Sequence, residues 1–488
     1  MSPSASTYRL LDDVEIDLDV EEHTSSSDTD PSDAIFGSLA RRRQIEKGLL
    51  RKLDLRLCFI VLVFLMNYLD RGNIAAARLQ GLEEDLKLTG YQFNTIISIT
   101  CVGYLFMQIP SNIFLDQLTR PSAYLSFAAL VWGLLSVGIG FAWNFNTALI
   151  SHFLLGFSEA VYAPGAILLL SRWYKRDEFG LRMAYFNFGA SASQFLGPFF
   201  ASGVFSTMDG ILGYAAWRWL FFIEGGLTCI IAIASFYITP DFPTTPASWL
   251  TIDEQMLAHR RIVEDVGRAE QKSAERSGLV EALTDWTVWW MGIASFFLLA
   301  GMSFATYFPT IAATMGHSPP VTLLLCVPPW FICVITGIFV MRHSDATRDR
   351  FWHIAGPIAT SIVGFLIATS TMNTSMRYLS LFFMTQSQIT CVVILAWISN
   401  SIPDSSSKRA VAIALVIVFS TLGSTAGSYL WPAEWGPSYS KSFIYCILAF
   451  LICLLMLWVY RLNFIRLNQE AERKERTLGL PTGFRYIT

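Results

Sequence analysis

Asp70 and Arg71 stand side by side in LCFIVLVFLMNYLDRGNIAAA (57–77), where Asn67 alone interrupts the apolar run before them. A charge at the centre of a bilayer-length helix costs ~2.5–3.5 kcal/mol on insertion scales, so two in succession need a reason. At a helical rise of ~1.5 Å, Asp70 lies ~20 Å into its segment, near mid-bilayer. Glu159, in FLLGFSEAVYAPGA, reaches a similar depth from the opposite side. The planar fork of Arg71 can grip a carboxylate through two hydrogen bonds. A carboxylate at that depth is a candidate proton carrier, and His152 could relay a proton. Alternatively, Asp70, Arg71 and Glu159 neutralise one another in an ion-pair network that joins two helices. Helix neighbours point ~100° apart, so Asp70 and Arg71 need not serve one cavity.

The elements that position these charges follow from composition. The 488 residues are 53% hydrophobic and 15% charged, against about 25% charged in a soluble domain. Apolar runs near twenty residues recur, each long enough to cross ~30 Å of hydrocarbon. About twelve are expected, over 57–78, 91–115, 122–142, 147–171, 184–206, 216–238, 286–310, 320–341, 352–370, 376–399, 410–430 and 439–461. The fold class is an all-α polytopic membrane protein of two six-helix bundles, 51–238 and 286–461. Between them, 239–285 reads as a cytoplasmic linker carrying a short amphipathic helix along the membrane surface. Residues 1–50 combine an acidic, Ser-rich tail, expected to be disordered, with a basic juxtamembrane segment (Arg41, Arg42, Arg43, Lys47). Residues 462–488 form a second cytoplasmic tail. With the first segment inside, 29 of the 35 Lys and Arg residues lie on the cytoplasmic side and 5 outside. This is the bias the positive-inside rule describes, with both termini cytoplasmic.

Several functions are excluded. The eight cysteines fall inside expected spans and read as packing residues, without a metal or disulfide pattern. No phosphate loop, HExxH or GxSxG motif occurs, so the chain reads as no enzyme and calls for no cofactor. Nucleic-acid signatures are absent. Without an ATP loop, an ion gradient or the solute's own gradient is the energy source. The expected partners are a small solute, protons and the lipid bilayer, with the chain a monomer.

The halves repeat. IPSNIFLDQLTRPS follows the second span with Asp116 and Arg120, and IFVMRHSDATRDR follows the eighth with Asp345, Arg348 and Arg350. These residues are candidate gates. The fifth span carries Gly189, Gly197 and Gly203, and the eleventh Gly423 and Gly427, small residues that let helix backbones approach. A repeated six-helix unit is the mark of a secondary transporter with its site between the halves. Gln194, Tyr307, Trp397 and Asn400 could line that site or serve helix packing. Arg218 and Glu224 in WRWLFFIEG read as anchors of the sixth span's outer end. Trp217 and Trp431 read as interfacial belt residues.

NYLDRGNI, GLEEDLKLTGYQFN, GYLFMQIPSN, WRWLFFIEG, YFPTIAATMG and GSYLWPAEWGPSYSKSF carry a resemblance. The chain resembles major facilitator superfamily transporters, and within them the fungal anion:cation symporters of the allantoate, nicotinate and vitamin permease group. The resemblance implies proton-driven uptake of a small organic anion at the plasma membrane by alternating access. It implies Arg71 as ligand of the substrate carboxylate, and Asp70 and Glu159 as proton-coupling groups. The chain departs from the pattern at His152, where an Arg is usual, and at Gln117 and Ala346, where a basic residue commonly follows the Asp. The missing cation keeps an alternative open, a proton antiporter that exports a secondary metabolite. A nutrient-sensing receptor on the same fold is a third class.

Overall fold

A computed structural model describes residues 38–116, 118–270, 278–402, 406–478 and 485–486, and its elements are helical. The acidic tail expected before residue 38, Gln117 and the Asp116 side chain lie outside the described residues. The first half comprises α1 (Leu39–Arg78), α2 (Leu82–Asp85), α3 (Gln92–Asp116), α4 (Pro121–Gly140), α5 (Phe145–Glu159), α6 (Tyr162–Trp173), α7 (Arg176–Thr207) and α8 (Ala216–Ile238). The linker forms α9 (Ile252–Glu270) and α10 (Gly278–Thr284). The second half comprises α11 (Trp286–Gly301), α12 (Phe308–Ala313), α13 (Pro319–Thr347), α14 (Phe351–Ser370), α15 (Thr374–Met384), α16 (Ile389–Ser401), α17 (Ser406–Ser428) and α18 (Ser440–Leu478).

By length and composition, nine helices among the described residues could cross a membrane. The other three expected spans fall on the long helices α1, α3 and α7. Three expected spans are broken: the tenth passes through a 3₁₀ turn, Thr385–Gln388, between α15 and α16 without a proline, and proline accounts for the other two. Pro164 has no N–H for the carbonyl of Ala160, and the fourth span divides between α5 and α6 at that residue. Pro309 stands four residues after Ala305, where the seventh span passes through a 3₁₀ turn, Met302–Ala305. The break at Pro164 leaves Glu159 as the last residue of α5, inside the bundle.

Glycine decides the closest helix contacts. A Cβ on Gly156 would lie 2.0 Å from the Thr100 carbonyl oxygen, and one on Gly103 would lie 2.2 Å from that of Phe153. In the second half, a Cβ on Gly423 would lie 2.1 Å from the Phe296 carbonyl oxygen. Gly203, expected among the close contacts, has open space around it. Gly156→Leu is therefore expected to part α3 from α5 and abolish the monodisperse peak in detergent size-exclusion. The same change at Gly203 should leave that peak intact. A normal Gly156→Leu profile would refute the contact.

An ion pair recurs in each half at the linker end. Arg182 of α7 holds Asp54 of α1 at 3.2 Å, and Lys408 of α17 holds Asp285, which caps α11, at 2.6 Å. Burial alone would raise the Asp285 carboxyl, but the bonds from Lys408 and Thr287 outweigh it and hold it below the usual range. The linker helix α9 is no free surface helix. It docks on the membrane-flanking turns of α1 through Arg41–Asp253 (3.3 Å), Arg42–Glu264 (2.5 Å) and Lys52–Glu254 (2.7 Å). Its fully buried Arg261 reaches Glu178 and Glu46. The basic segment before the first span is matched by linker carboxylates, which gives α9 a protein face to pack on.

The two halves join at the opposite end. Asn94 of α3 donates to the Tyr307 hydroxyl (2.9 Å) and the Ser428 carbonyl (2.6 Å), and Ser98 meets Ser428 at 2.6 Å. Ser202 of α7 donates to the Pro320 carbonyl at 2.8 Å. Tyr307 stacks on Trp431, whose indole N–H donates to Ser303. Trp431 and Trp217 are fully buried, so neither is a belt residue. The Trp217 indole donates to Asp85, and each N–H thus has a protein partner in place of the interface.

Candidate functional site

Arg71 and Glu159 meet on the inner face of the first half. The Arg71 Nε donates to Glu159 Oε2 at 2.7 Å, with Glu159 fully buried and the Arg71 side chain 32% exposed. The guanidinium lies 4.7 Å from the Tyr104 ring centre and 5.3 Å from that of Tyr68. Two aromatic faces hold the cation by its plane. Its Nη groups make no hydrogen bond among the described residues, and Glu159 Oε1 is likewise unpartnered. The site therefore has a fixed cation with two donors to spare. Among the described residues, Arg78, Arg218, Arg350 and Arg377 stand at span ends, and the buried Arg261 lies in the linker helix.

Asp70 faces the other way. Its oxygens accept from Ser136 of α4 (3.0 Å) and Thr228 of α8 (3.4 Å). The ~100° step between helix neighbours sends the two adjacent charges to different surroundings. One turn on, Asn73 donates to the buried Glu224 at 2.5 Å. Glu224 is thus no anchor of the span's outer end. Arg218 fills that role, donating to the carbonyls of Gly140 (2.9 Å) and Ala142 (2.7 Å), whereas Glu224 lies nearly two turns deeper.

The remaining candidates scatter. His152 is buried two turns before Glu159, with Nδ1 at 2.9 Å from the Ala148 carbonyl of its own helix. Tyr307 belongs to the contact between the halves. Gln194 is half-buried on α7 and Asn400 half-buried at the linker end of α16, both without a hydrogen bond among the described residues. Trp397 is buried edge-on against Tyr460. Of the gate residues, Arg350 pairs with Asp345 (2.7 Å) and donates to Ser344 (2.9 Å), inside the second half. Arg348 is exposed in a left-handed conformation (φ 52°) that ends α13. Arg120 is exposed ahead of α4. Tyr104, Asn73 and the role of Glu224 escaped the sequence reading. The depth of Glu224 in its apolar run was the signal available for it.

A repeated helical bundle with buried charges at mid-depth invites comparison with known proteins. Residues 60–428 match the profile of the Major Facilitator Superfamily. The chain belongs to the Major Facilitator Superfamily. This major facilitator protein is 30% identical over 415 residues to an MFS-type transporter, cnsO, of Penicillium expansum, covering 81% of this chain and 79% of the relative. It is 28% identical over 386 residues to an Agrobacterium vitis protein described as a candidate tartrate transporter (78% and 84% covered). In fold it is similar to a bacterial homologue of the human lysosomal transporter Spinster, solved inward-facing and occupied. That match has TM-score 0.66 and 14% identity, and covers 84% of this chain and 97% of the other. The D-xylose-proton symporter also matches, at TM-score 0.59 and 16% identity, covering 81% and 96%. This major facilitator protein is a multi-pass secondary transporter and not an enzyme.

Proposed function

We propose that this transporter carries a small organic anion together with protons, as the fungal anion:cation symporters do. The observation that supports it is the Arg71–Glu159 pair: a cation one-third exposed with both Nη groups free, held by a fully buried carboxylate. While Glu159 is ionised, it satisfies the cation and competes with any incoming anion. A proton on Glu159 removes that competition, and Arg71 turns its full charge to the substrate carboxylate or sulfonate. Proton and anion then bind together, which is the requirement for symport. Tyr68 and Tyr104 keep the guanidinium plane fixed in either state. In this reading, the linker and both termini face the cytosol and the membrane is the plasma membrane. The contact through Asn94, Tyr307 and Ser428 closes the outer side, and Asp345 with Arg350 belongs to the inner gate.

The test is uptake by reconstituted vesicles of labelled tartrate, nicotinate and a panel of carboxylates and sulfonates. An inside-alkaline gradient should drive accumulation that a protonophore collapses. Accumulation driven only by an inside-acid gradient would overturn symport in favour of proton antiport.

A further inference from the structure

Behind the first span, two carboxylates lie buried with no cation to meet them. Asp70 is 3% exposed and Glu224 1%, between α1, α4 and α8. Asp70 accepts hydroxyl bonds on both oxygens, from Ser136 and Thr228. The buried Trp132 indole also faces Asp70, without closing a hydrogen bond of its own. Glu224 has one donor, the Asn73 amide on Oε2, and its Oε1 has no partner. The other charged or titratable groups around the pair are committed elsewhere. Arg71 turns to Glu159, whose own charge also bears on Asp70, the Cys229 thiol faces the Leu130 carbonyl, Arg78 is paired with Glu83, and Arg218 lies near Asp85. No ion pair reaches either carboxylate among the described residues.

A carboxylate buried without a cation takes a proton in preference to holding its charge, and two neighbouring carboxylates do so more readily still. The donors decide which of them. Asp70 is surrounded by donors suited to an anion, whereas one oxygen of Glu224 meets none. We propose that Glu224 holds a proton in this conformation, as the partner of Asp70 in a proton-holding pair separate from the Arg71–Glu159 contact. Asp70 bonds Thr228, one turn from Glu224, and Glu224 bonds Asn73, one turn from Asp70. A change of proton on either residue therefore alters the bonds that tie α1 to α8. Because α1 also carries Arg71, a change of proton on the pair adjusts the setting of the substrate cation, while the coupled proton itself stays with Glu159. That role rests on the symport reading, whereas the proton on Glu224 does not.

The experiment is infrared difference spectroscopy of the purified full-length protein in lipid bilayers at neutral pH, read at the protonated-carboxyl C=O band. Wild type should show the band, Glu224→Gln should lose it, and Asp70→Asn should keep it. A band unchanged in Glu224→Gln, lost in Asp70→Asn, or absent from wild type overturns the proposal. Glutamine can still accept from Asn73, so the variant should fold. If it does not, Asn73→Ser is read instead: loss of the amide donor should move the band, and an unmoved band overturns the proposal. Failure of proton-driven uptake with the band present would reject symport alone.

Discussion

Arg71→Lys is expected to leave the protein folded and to cut anion uptake at least ~10-fold, mainly through a raised KM. Lysine still presents a positive charge to Glu159, so the buried carboxylate is not abandoned. Its three donors sit on one nitrogen, so it cannot bond Glu159 and present a planar pair of donors to a substrate carboxylate on its other side, nor lie flat against Tyr68 and Tyr104. A hydrogen bond to a charged group is worth ~1.5–3 kcal/mol, and ~1.4 kcal/mol is a factor of ten in affinity. Arg71→Gln should do more harm to the fold, because an unpaired buried charge costs ~3–5 kcal/mol. Adding Glu159→Gln to it should restore the thermal midpoint without restoring uptake. Vesicle uptake and a detergent melting curve check both. Near-normal transport by Arg71→Lys would remove Arg71 from the substrate site.

Much of this site was legible because charges in apolar runs are costly and therefore conspicuous. Asp70, Arg71 and Glu159 stood out by depth alone, and Arg71 of the first span lies against Glu159 of the fourth. Sequence could say that Asp70 and Arg71 point apart, but not which neighbour each would face. That depends on how each helix is turned against the next, as the Asp70–Thr228 and Asn73–Glu224 bonds demonstrate. Aromatics near span ends misled for a related reason. Trp217 and Trp431 occupy belt positions along the chain, yet both rings are buried and their indoles donate to protein partners, Asp85 and Ser303. Two of the three helix breaks were legible in principle, whereas the one at Thr385–Gln388 carries no proline. Pro164 and Pro309 each leave a carbonyl without its donor four residues earlier. A hydropathy window averages over such breaks.

The repeat constrains what can move. Each half ties its first and fifth helices at the linker end, by Asp54–Arg182 and Asp285–Lys408, so each half holds together as a body. The linker helix is fastened to the first half by its own ion pairs. The contacts between halves at the other end are hydrogen bonds and aromatic stacking. They can open without separating buried ions, which makes rocking of the halves affordable. A charge network at the same place would resist it.

Glu159→Gln should then separate binding from driving force. The glutamine oxygen still accepts from Arg71 Nε, so the cation keeps its position, and no charge remains for a proton to neutralise. Arg71 is free for the anion at any pH. Exchange of labelled for unlabelled substrate across the vesicle membrane should persist at a rate near that of wild type. Accumulation should not. One pH unit is worth ~1.36 kcal/mol, so with the membrane potential clamped at zero wild type should concentrate its substrate about tenfold per pH unit for each proton carried. At zero potential the variant should stop at equal concentrations on both sides, whatever pH gradient is imposed. A variant that still concentrates substrate would move coupling away from Glu159. Loss of exchange as well as accumulation would make Glu159 a positioning group for Arg71.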